Sequence, residues 1–247
     1  MAIFVYMSNI LWKGTIMKRF FTIGLIAAMT FVIVMPASAQ LFGISVKGGL
    51  NLSTLRGDFE FVEDGIEVDP GFSTKTGFVA GVAFNTGLIP LLSLQTEILY
   101  SEKGAKLDMP FDDIDDFASI DASIDLTYLE VPVLLRAGLP IPGFSPFLYA
   151  GPAFAYNLSA EITSDIEFTD NGQQFSVSGS EDIKDEIKSF DVGFIVGAGL
   201  EFGLPMLKLH AEVRYTMGLS NISDVDNNND TIDIKNGVVS LMVGVTF

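Results

Sequence analysis

The chain has 247 residues, of which 49% are apolar and none is cysteine, and it carries a formal net charge of −17. Without cysteine there can be no disulfides, thiolate metal sites or cysteine nucleophiles, and the acidic balance argues against a nucleic-acid partner, which needs a basic surface. The apolar share is sufficient for a packed core or for a lipid-facing surface.

The N-terminal part has the pattern of an export signal. Lys18 and Arg19 precede an almost unbroken apolar run over residues 20–35, and residues 36–39 (Pro-Ala-Ser-Ala) end the run with small side chains. A basic start, an apolar run and an Ala-x-Ala exit are typical of a secretory signal peptide, whereas a retained membrane anchor needs a longer run. We therefore expect cleavage after Ala39 and export of the remaining chain.

This interpretation divides the chain into three segments. Residues 1–16 are interpreted as sequence upstream of the true start, residues 17–39 as the signal peptide and residues 40–247 as one domain. The domain has no run of 18 or more apolar residues, so its sequence offers no transmembrane helix. Only a closed β-barrel could carry it across a membrane, because a bilayer offers no partner for unpaired backbone N–H and C=O groups.

Eight segments of this domain alternate apolar residues with small or polar ones, which is the period of a strand. Their lengths suit a bilayer, which a tilted strand crosses in ~9–11 residues. The predicted strands are residues 44–52, 75–86, 92–101, 124–138, 146–160, 190–202, 207–219 and 237–247. We expect the last strand to pair with the first, and its apolar face to meet lipid through Val239, Leu241, Val243, Val245 and Phe247.

The fourth predicted strand changes phase along its length. Ile124, Leu126 and Tyr128 share the apolar face at its start, and from Leu129 onwards the apolar residues continue one position out of step. Because a one-residue slip turns every following side chain to the other face, the pattern predicts a bulge over residues 129–132.

The connections between the strands alternate strictly between long and short. The long connections hold 24 of the 31 acidic residues and 6 of the 14 basic ones, and are residues 54–74, 103–123, 161–188 and 220–236. Long loops on one side and tight turns on the other are typical of outer-membrane barrels. The sequence therefore predicts an all-β fold, an eight-stranded antiparallel up-and-down transmembrane β-barrel in the cell outer membrane, with acidic surface loops.

Charged residues of the predicted strands fall mainly on the inward face. They are the cations Lys47, Arg136, Lys208 and Arg214, the anions Glu97, Glu130, Asp191, Glu201 and Glu212, and the single histidine, His210. Opposite charges can pair in a narrow interior, and eight strands leave a lumen that side chains fill, so we expect no diffusion channel. A soluble exported barrel of lipocalin type is the architectural rival, but it would keep its apolar residues inside around a dry cavity.

Several short motifs resemble a known family. They are Gly48-Gly49-Leu50-Asn51, Tyr128-Leu129-Glu130-Val131-Pro132, Tyr149-Ala150-Gly151-Pro152, Gly197-Ala198-Gly199-Leu200-Glu201-Phe202 and the terminal Phe247. Together they resemble the PorT-like outer-membrane β-barrel family of Gram-negative bacteria. The resemblance implies an eight-stranded barrel inserted by the barrel-assembly machinery, which in such proteins recognises a terminal strand ending in Phe. It implies no chemistry, although one relative takes part in protein secretion.

One loop has part of the spacing of a calcium site. Its oxygen-bearing residues alternate along the last long connection, at Asp224, Asp226, Asn228 and Asp230. A calcium loop needs Gly at its sixth position and a bidentate Glu at its twelfth, where this chain has Asn229 and Lys235. We therefore interpret the segment as a solvated acidic loop, as we do residues 112–116, and predict no metal or cofactor.

His210 allows a hydrolase hypothesis, because Glu212 and Ser220 are near it in the sequence. Some eight-stranded outer-membrane barrels are lipid A deacylases or acyltransferases that use a histidine with a serine and an acid. Here His210 is predicted to face the lumen beside charged residues, and no serine motif accompanies it. We expect a structural histidine and no catalytic residues.

The expected function is accordingly that of a non-enzymatic integral outer-membrane protein with a structural or interaction role in the envelope. An accessory role in secretion or envelope assembly is the alternative, and a lipid A-modifying enzyme is the third hypothesis. The expected partners are outer-membrane lipids, the barrel-assembly machinery during insertion, and an envelope or secretion partner that contacts the loops. We expect a monomer.

Overall fold

The computed structural model describes residues 42–57, 61–63, 66–68, 71–108, 118–170, 173–223 and 233–247. The strands in this part of the chain are β1 (Phe42–Arg56), β2 (Phe61–Glu63), β3 (Ile66–Val68), β4 (Gly71–Ile89), β5 (Leu92–Asp108), β6 (Ala118–Gly138), β7 (Phe144–Asp170), β8 (Gln173–Asp182), β9 (Phe190–Gly203), β10 (Lys208–Gly218) and β11 (Lys235–Thr246). One 3₁₀ turn spans Lys184–Glu186. No helix within these ranges is long and apolar enough to cross a membrane. The predicted segments over residues 1–39 lie outside the described residues.

Eight of the strands close into a barrel. Around the barrel the order is β1, β4, β5, β6, β7, β9, β10 and β11, every pairing is antiparallel, and β11 pairs back onto β1. The prediction of an eight-stranded antiparallel up-and-down barrel is confirmed. The remaining strands lie outside this ring, since β2 pairs only with β3, and β8 pairs with the end of β7.

The ring closes along the pairing between β1 and β11, called here the closing seam. It runs from Ser45 opposite Thr246 to Arg56 opposite Lys235, and the Phe247 N–H donates to the Ile44 carbonyl at 2.8 Å. Gly49 is required within it, because a Cβ at this position would lie 1.9 Å from the Leu241 carbonyl oxygen. The predicted pairing of the last strand with the first is confirmed.

The outer face of the barrel is apolar, as the alternation predicts. Exposed large apolar side chains follow every barrel strand at every second position, among them Val46, Leu50, Phe78, Ile98, Leu135, Phe154, Val196, Val213, Leu241 and Val243. On a soluble protein so continuous an apolar surface would be a liability. On a barrel it is the band that meets the hydrocarbon of a bilayer.

Several strands extend well beyond the predicted limits. β5 continues to Asp108, β6 begins at Ala118, and β7 and β8 form a hairpin across most of the predicted third loop. The assignment to loops was therefore wrong for residues 54–56, 71–74, 103–108, 118–123, 161–170, 173–182 and 235–236. Beyond the membrane one strand face meets water, so acids can alternate with apolar residues in a regular strand, and acid content alone does not identify a loop.

The phase change in the fourth predicted strand has a different cause from the one expected. Leu126 and Tyr128 are buried in the same inward phase as Glu130, so β6 carries no slip at residues 129–132. The register shift lies on the neighbouring strand, where Thr127 pairs with Ser159, Tyr128 pairs with Asn157, and Leu158 is the extra residue. The predicted bulge over 129–132 and the outward Leu126 and Tyr128 were wrong.

The physical reason is that the two faces of the sheet exchange polarity where the apolar band ends. Inside the band the outward residues are apolar, and the inward ones combine the charged and polar groups with two smaller apolar clusters, around Leu134 and around Leu99. Beyond it, on the side of the long loops, inward residues are apolar and form a packed cluster: Leu55, Ala105, Leu126, Tyr128, Ala155, Ala160, Ile183, Ile222 and Ile234. This loop-side core fills that end of the lumen in the manner of a soluble protein.

The apolar band makes a prediction about charge at its centre. Leu241 is 52% exposed and pairs with two other outward residues, Leu50 and Val213. We expect Leu241→Arg to lower the free energy of unfolding by about 2–4 kcal/mol, because lipid solvates the cation poorly. Urea-induced unfolding in phospholipid vesicles measures the change.

The matched control is Asp121→Arg, since Asp121 is exposed on the same sheet beyond the band. We expect this variant to stay within about 0.5 kcal/mol of the unaltered protein. Equal losses for the two variants would contradict the position of the band.

Candidate functional site

A buried ionic network crosses the middle of the lumen. Lys47 Nζ, from β1, donates to Glu97 Oε1 on β5 and, at 2.7 Å, to Glu212 Oε1 on β10. Arg214 Nη1, also on β10, donates to Glu97 Oε2 at 2.7 Å. The four side chains are at most 2% exposed. Each carboxylate is therefore paired across the barrel, and Glu97 joins three strands.

Two further charged groups lie towards the ends of the lumen. On the loop side, Lys103 pairs with Glu130 and lies 5.0 Å from the centre of the Tyr128 ring. On the turn side, Arg136 and Lys208 each approach Glu201 at 3.0 Å. Arg136 also stacks on Phe147, with its guanidinium carbon 3.9 Å from the ring centre.

Hydrogen bonds from amide and hydroxyl side chains make further contacts across the lumen. Asn51 Nδ2 donates to Ser101 Oγ at 2.9 Å, and Ser240 Oγ donates to Asn51 Oδ1 at 2.8 Å. Nearer the loops, Asn236 Nδ2 donates to Asp191 Oδ2 at 2.8 Å, and Ser220 Oγ donates to Asp191 Oδ1 at 2.6 Å. These contacts use the small polar residues that the alternation places inward.

Little free space remains between these groups at the turn side. A cavity of about 10 Å³ lies between Lys47, Arg136, Glu201 and His210. This volume is close to the minimum that holds a single water molecule. Around this cavity the side chains are packed closely, as expected for this part of the lumen.

The predicted inward set is confirmed with two changes. Every predicted anion is buried, and so are Lys47, Arg214 and His210. Lys208 is at the rim, with its side chain 56% exposed, although it still reaches Glu201. Lys103 is also buried and inward, but it was not predicted, because the predicted strand ends at Ser101. Ser101 and Lys103 both keep the inward alternation, so a predicted strand two residues longer would have included Lys103 in the inward set.

The structure does not assemble the hydrolase constellation. His210 is buried near the turn side, with Nδ1 3.4 Å from Thr246 Oγ1. Ser220 lies beyond the opposite end of β10, ten residues away, and bonds to Asp191. At a rise of about 3.3 Å per residue, the two side chains are separated by roughly the thickness of a bilayer.

The candidate calcium ligands Asp224, Asp226, Asn228 and Asp230 lie outside the described residues, as do residues 112–116. Within the described ranges, no group of three or more His, Cys, Asp or Glu side chains could hold a metal ion.

The ends of β6, β7 and β8 form a second feature, called here the loop-side sheet. β6 pairs with β7 from Ala118 opposite Phe168 to Thr127 opposite Ser159. β7 in turn pairs with β8 from Glu161 opposite Asp182 to Asp170 opposite Gln173. Directly opposed residues share a face. One row therefore aligns Asp125, Glu161 and Asp182, and another aligns Asp121, Asp165 and Ser178.

The two faces of the loop-side sheet differ sharply. Its outer face carries these acids and hydroxyl side chains, with Asp121, Glu161, Asp165 and Asp182 exposed. Lys75 Nζ approaches Asp125 from β4 and provides partial neutralisation. The inner face packs Ile124 and Ile162 against the loop-side core. The result is an acidic, hydrogen-bonded surface beyond the apolar band.

The central network makes a prediction about stability. Replacing Glu97 by Gln removes the carboxylate that both Lys47 and Arg214 use, and leaves two buried cations with one anion. We expect a loss of about 3–5 kcal/mol in the free energy of unfolding, because unpaired buried charge is costly. Urea-induced unfolding in vesicles measures it.

Glu201→Gln provides the comparison. Of the two cations beside Glu201, Lys208 is largely exposed, and Arg136 keeps its stacking contact with Phe147. Water can solvate Lys208, so we expect a loss of at most about 1 kcal/mol. If Glu97→Gln were no more destabilising than Glu201→Gln, the central network would not be important for stability.

Comparison with known proteins agrees with the fold. Residues 38–224 match the model of the outer membrane protein beta-barrel domain family. A comparison with curated proteins gave no match. Solved structures that are similar to this chain include OprG from Pseudomonas aeruginosa, at 13% identity, with 83% of this chain and 94% of that chain covered and a TM-score of 0.45.

Two other solved structures are similar at the same level. Ail, the attachment invasion locus protein of Yersinia pestis, has 16% identity, covers 83% of this chain and 98% of its own, and gives a TM-score of 0.32. The outer membrane protease OmpT from Escherichia coli has 13% identity, 87% and 98% coverage, and a TM-score of 0.41. The family match, the closed barrel and the apolar outer band lead to one conclusion: this chain belongs to the outer membrane protein beta-barrel domain family and is located in the outer membrane.

Proposed function

We propose that the protein is non-enzymatic and acts by contact, as a monomer that presents the loop-side sheet outside the cell. The observation that supports this most directly is the exchange of polarity at the end of the apolar band. It closes that end of the lumen with the loop-side core and leaves an acidic sheet facing outwards. A filled lumen does not suit transport, whereas a charged sheet suits binding to a partner with a complementary surface.

The interior geometry supports a structural role for the ionisable residues. The carboxylates of the central network accept from cations across the barrel, and Ser220 is bonded to Asp191. Surrounding lipids and, during insertion, the barrel-assembly machinery are the other partners that we propose.

An accessory role in secretion or envelope assembly is a second candidate. The motifs that resemble the PorT-like family favour it, and the loop-side sheet would then contact an envelope or secretion component. The contact function and the accessory role use the same surface, the loop-side sheet. They differ in the partner that this sheet binds and in the phenotype that deletion of the protein produces.

The contact hypothesis predicts that the β7–β8 hairpin is necessary for function but not for insertion. Ser164 and Gly179 are directly opposed, so residues 165–178 can be replaced by an Asn-Gly turn. This shortens β7 to Ser164 but keeps its pairing with β6 from Ala122 onwards and its pairing with β9. We expect this variant to insert and show heat-modifiable migration on a gel, but to fail to complement a deletion strain in envelope-stress and secretion assays. Full complementation would overturn the proposal.

The non-enzymatic assignment makes a separate prediction. Purified protein in detergent micelles should not release fatty acids from lipopolysaccharide, as followed by mass spectrometry. His210→Ala should complement the deletion strain as well as the unaltered gene does. Deacylation that is lost in His210→Ala would establish the third hypothesis, a lipid A-modifying enzyme.

A further inference from the structure

Two cations lie side by side at the loop end of the closing seam. Arg56, the last residue of β1, is directly opposite Lys235, the first residue of β11. Both keep the outward phase of Leu52 and Val239, so they are on the outer face of the barrel. Like charges directly opposite one another destabilise a strand pair. Their juxtaposition therefore creates a position where an anion would be bound favourably.

The pair is an exception to the charge of its surroundings. Arg56 is the only basic residue of segment 54–74, and Lys235 is the only basic residue of segment 220–236. These segments hold six and four acids respectively. Closure of the barrel brings together the single cations of two long connections that are far apart in the sequence.

Arg56 and Lys235 lie at the level of the lipid headgroups. On the adjacent strand β10, outward Tyr215 and Met217 continue the apolar band, and Met217 is directly opposite Gly237. Lys235 is only two residues beyond Gly237. The cations thus lie at the upper limit of the surface that contacts hydrocarbon, which is the level of the phosphate groups of outer-leaflet lipids.

The Arg56 side chain is held in place before any ligand arrives. It lies across Gly237, where a Cβ would be 2.9 Å from Arg56 Nε. Its guanidinium carbon is 5.9 Å from the centre of the Tyr215 ring, and Nη2 donates to the Asn236 carbonyl at 3.2 Å. An arginine held in this way loses less conformational freedom on binding, and its planar group matches a phosphate.

Lys235 is free to exchange its partner. Its Nζ lies 2.5 Å from an Asp233 carboxylate oxygen, and the two side chains are 36% and 52% exposed. Exposed ion pairs of this kind are weak. A phosphate that also contacts Arg56 can therefore replace Asp233 as the partner of Lys235.

We propose that Arg56 and Lys235 bind the phosphate group of an anionic lipid in the outer leaflet. The acyl chains of this lipid lie against the apolar band below, along Leu52, Tyr215 and Val239. This site is separate from the loop-side sheet and does not depend on the proposed contact function.

Native mass spectrometry of the full-length protein in non-ionic detergent tests the site, with synthetic diphosphorylated lipid A as the probe. We expect the double variant Arg56→Gln, Lys235→Gln to bind the probe at least tenfold more weakly than the unaltered protein. Lys106→Gln is the matched control, because Lys106 is exposed on β5 away from the seam, and we expect its binding to be unchanged. Equal loss in the control, or none in the double variant, would overturn the proposal.

Gly237→Ala provides a test that retains both charges. The added methyl group displaces Arg56 from its position over Gly237, so we expect weaker lipid binding in a protein that still migrates as a folded barrel. Binding as tight as that of the unaltered protein would show that no organised site exists.

Two further probes identify the source of the phosphate. Fully dephosphorylated lipid A should bind at least tenfold more weakly than the diphosphorylated form, and inorganic phosphate should not compete at concentrations near that of the lipid. Equal binding of the dephosphorylated lipid would assign the contact to the apolar band alone. Effective competition by inorganic phosphate would assign it to a soluble anion. Either result would reject the lipid site.

Discussion

A bilayer has no water to satisfy a free strand edge, and the rest of this structure depends on that constraint. The pairing of β1 with β11 removes the edge, and once the ring is closed every barrel strand has one face towards lipid and one towards a narrow lumen. Outward positions are then apolar, and inward positions must pack and pair with one another. The contacts among Lys47, Glu97, Glu212 and Arg214 follow from closure, because β1, β5 and β10 meet only across the lumen.

Within the membrane, the sequence pattern was enough to predict both faces. The period of two assigned Leu50, Val213 and Leu241 outward and Glu97 and Arg214 inward, and the structure agrees. The partners could not be predicted in the same way, because pairing depends on the stagger of strands around the ring. Nothing in the local sequence indicates that Glu97 serves two cations from different strands.

Beyond the membrane, the same pattern was misinterpreted. Leu126 and Tyr128 were assigned outward because apolar residues were taken to meet lipid everywhere along a strand. They are buried inward, since water replaces lipid outside and the loop-side core replaces polar groups inside. The sequence carries this change as a phase shift between Tyr128 and Leu129. A shift of this kind has two physical causes, a bulge or a change of solvent, and periodicity alone does not distinguish them.

The loop-side core also has a consequence for the direction of assembly. Leu55 lies near the end of β1, and Ile183, Ile222 and Ile234 lie next to β8, β10 and β11, so these side chains can pack together on the loop side only after all of these segments have crossed the bilayer. Burial of each such side chain contributes about 1.5–3 kcal/mol. Packing of the loop-side core therefore follows translocation of these segments. Because this packing stabilises the translocated segments, their return across the membrane becomes progressively less favourable. The barrel couples its own insertion to the condensation of a small water-soluble core.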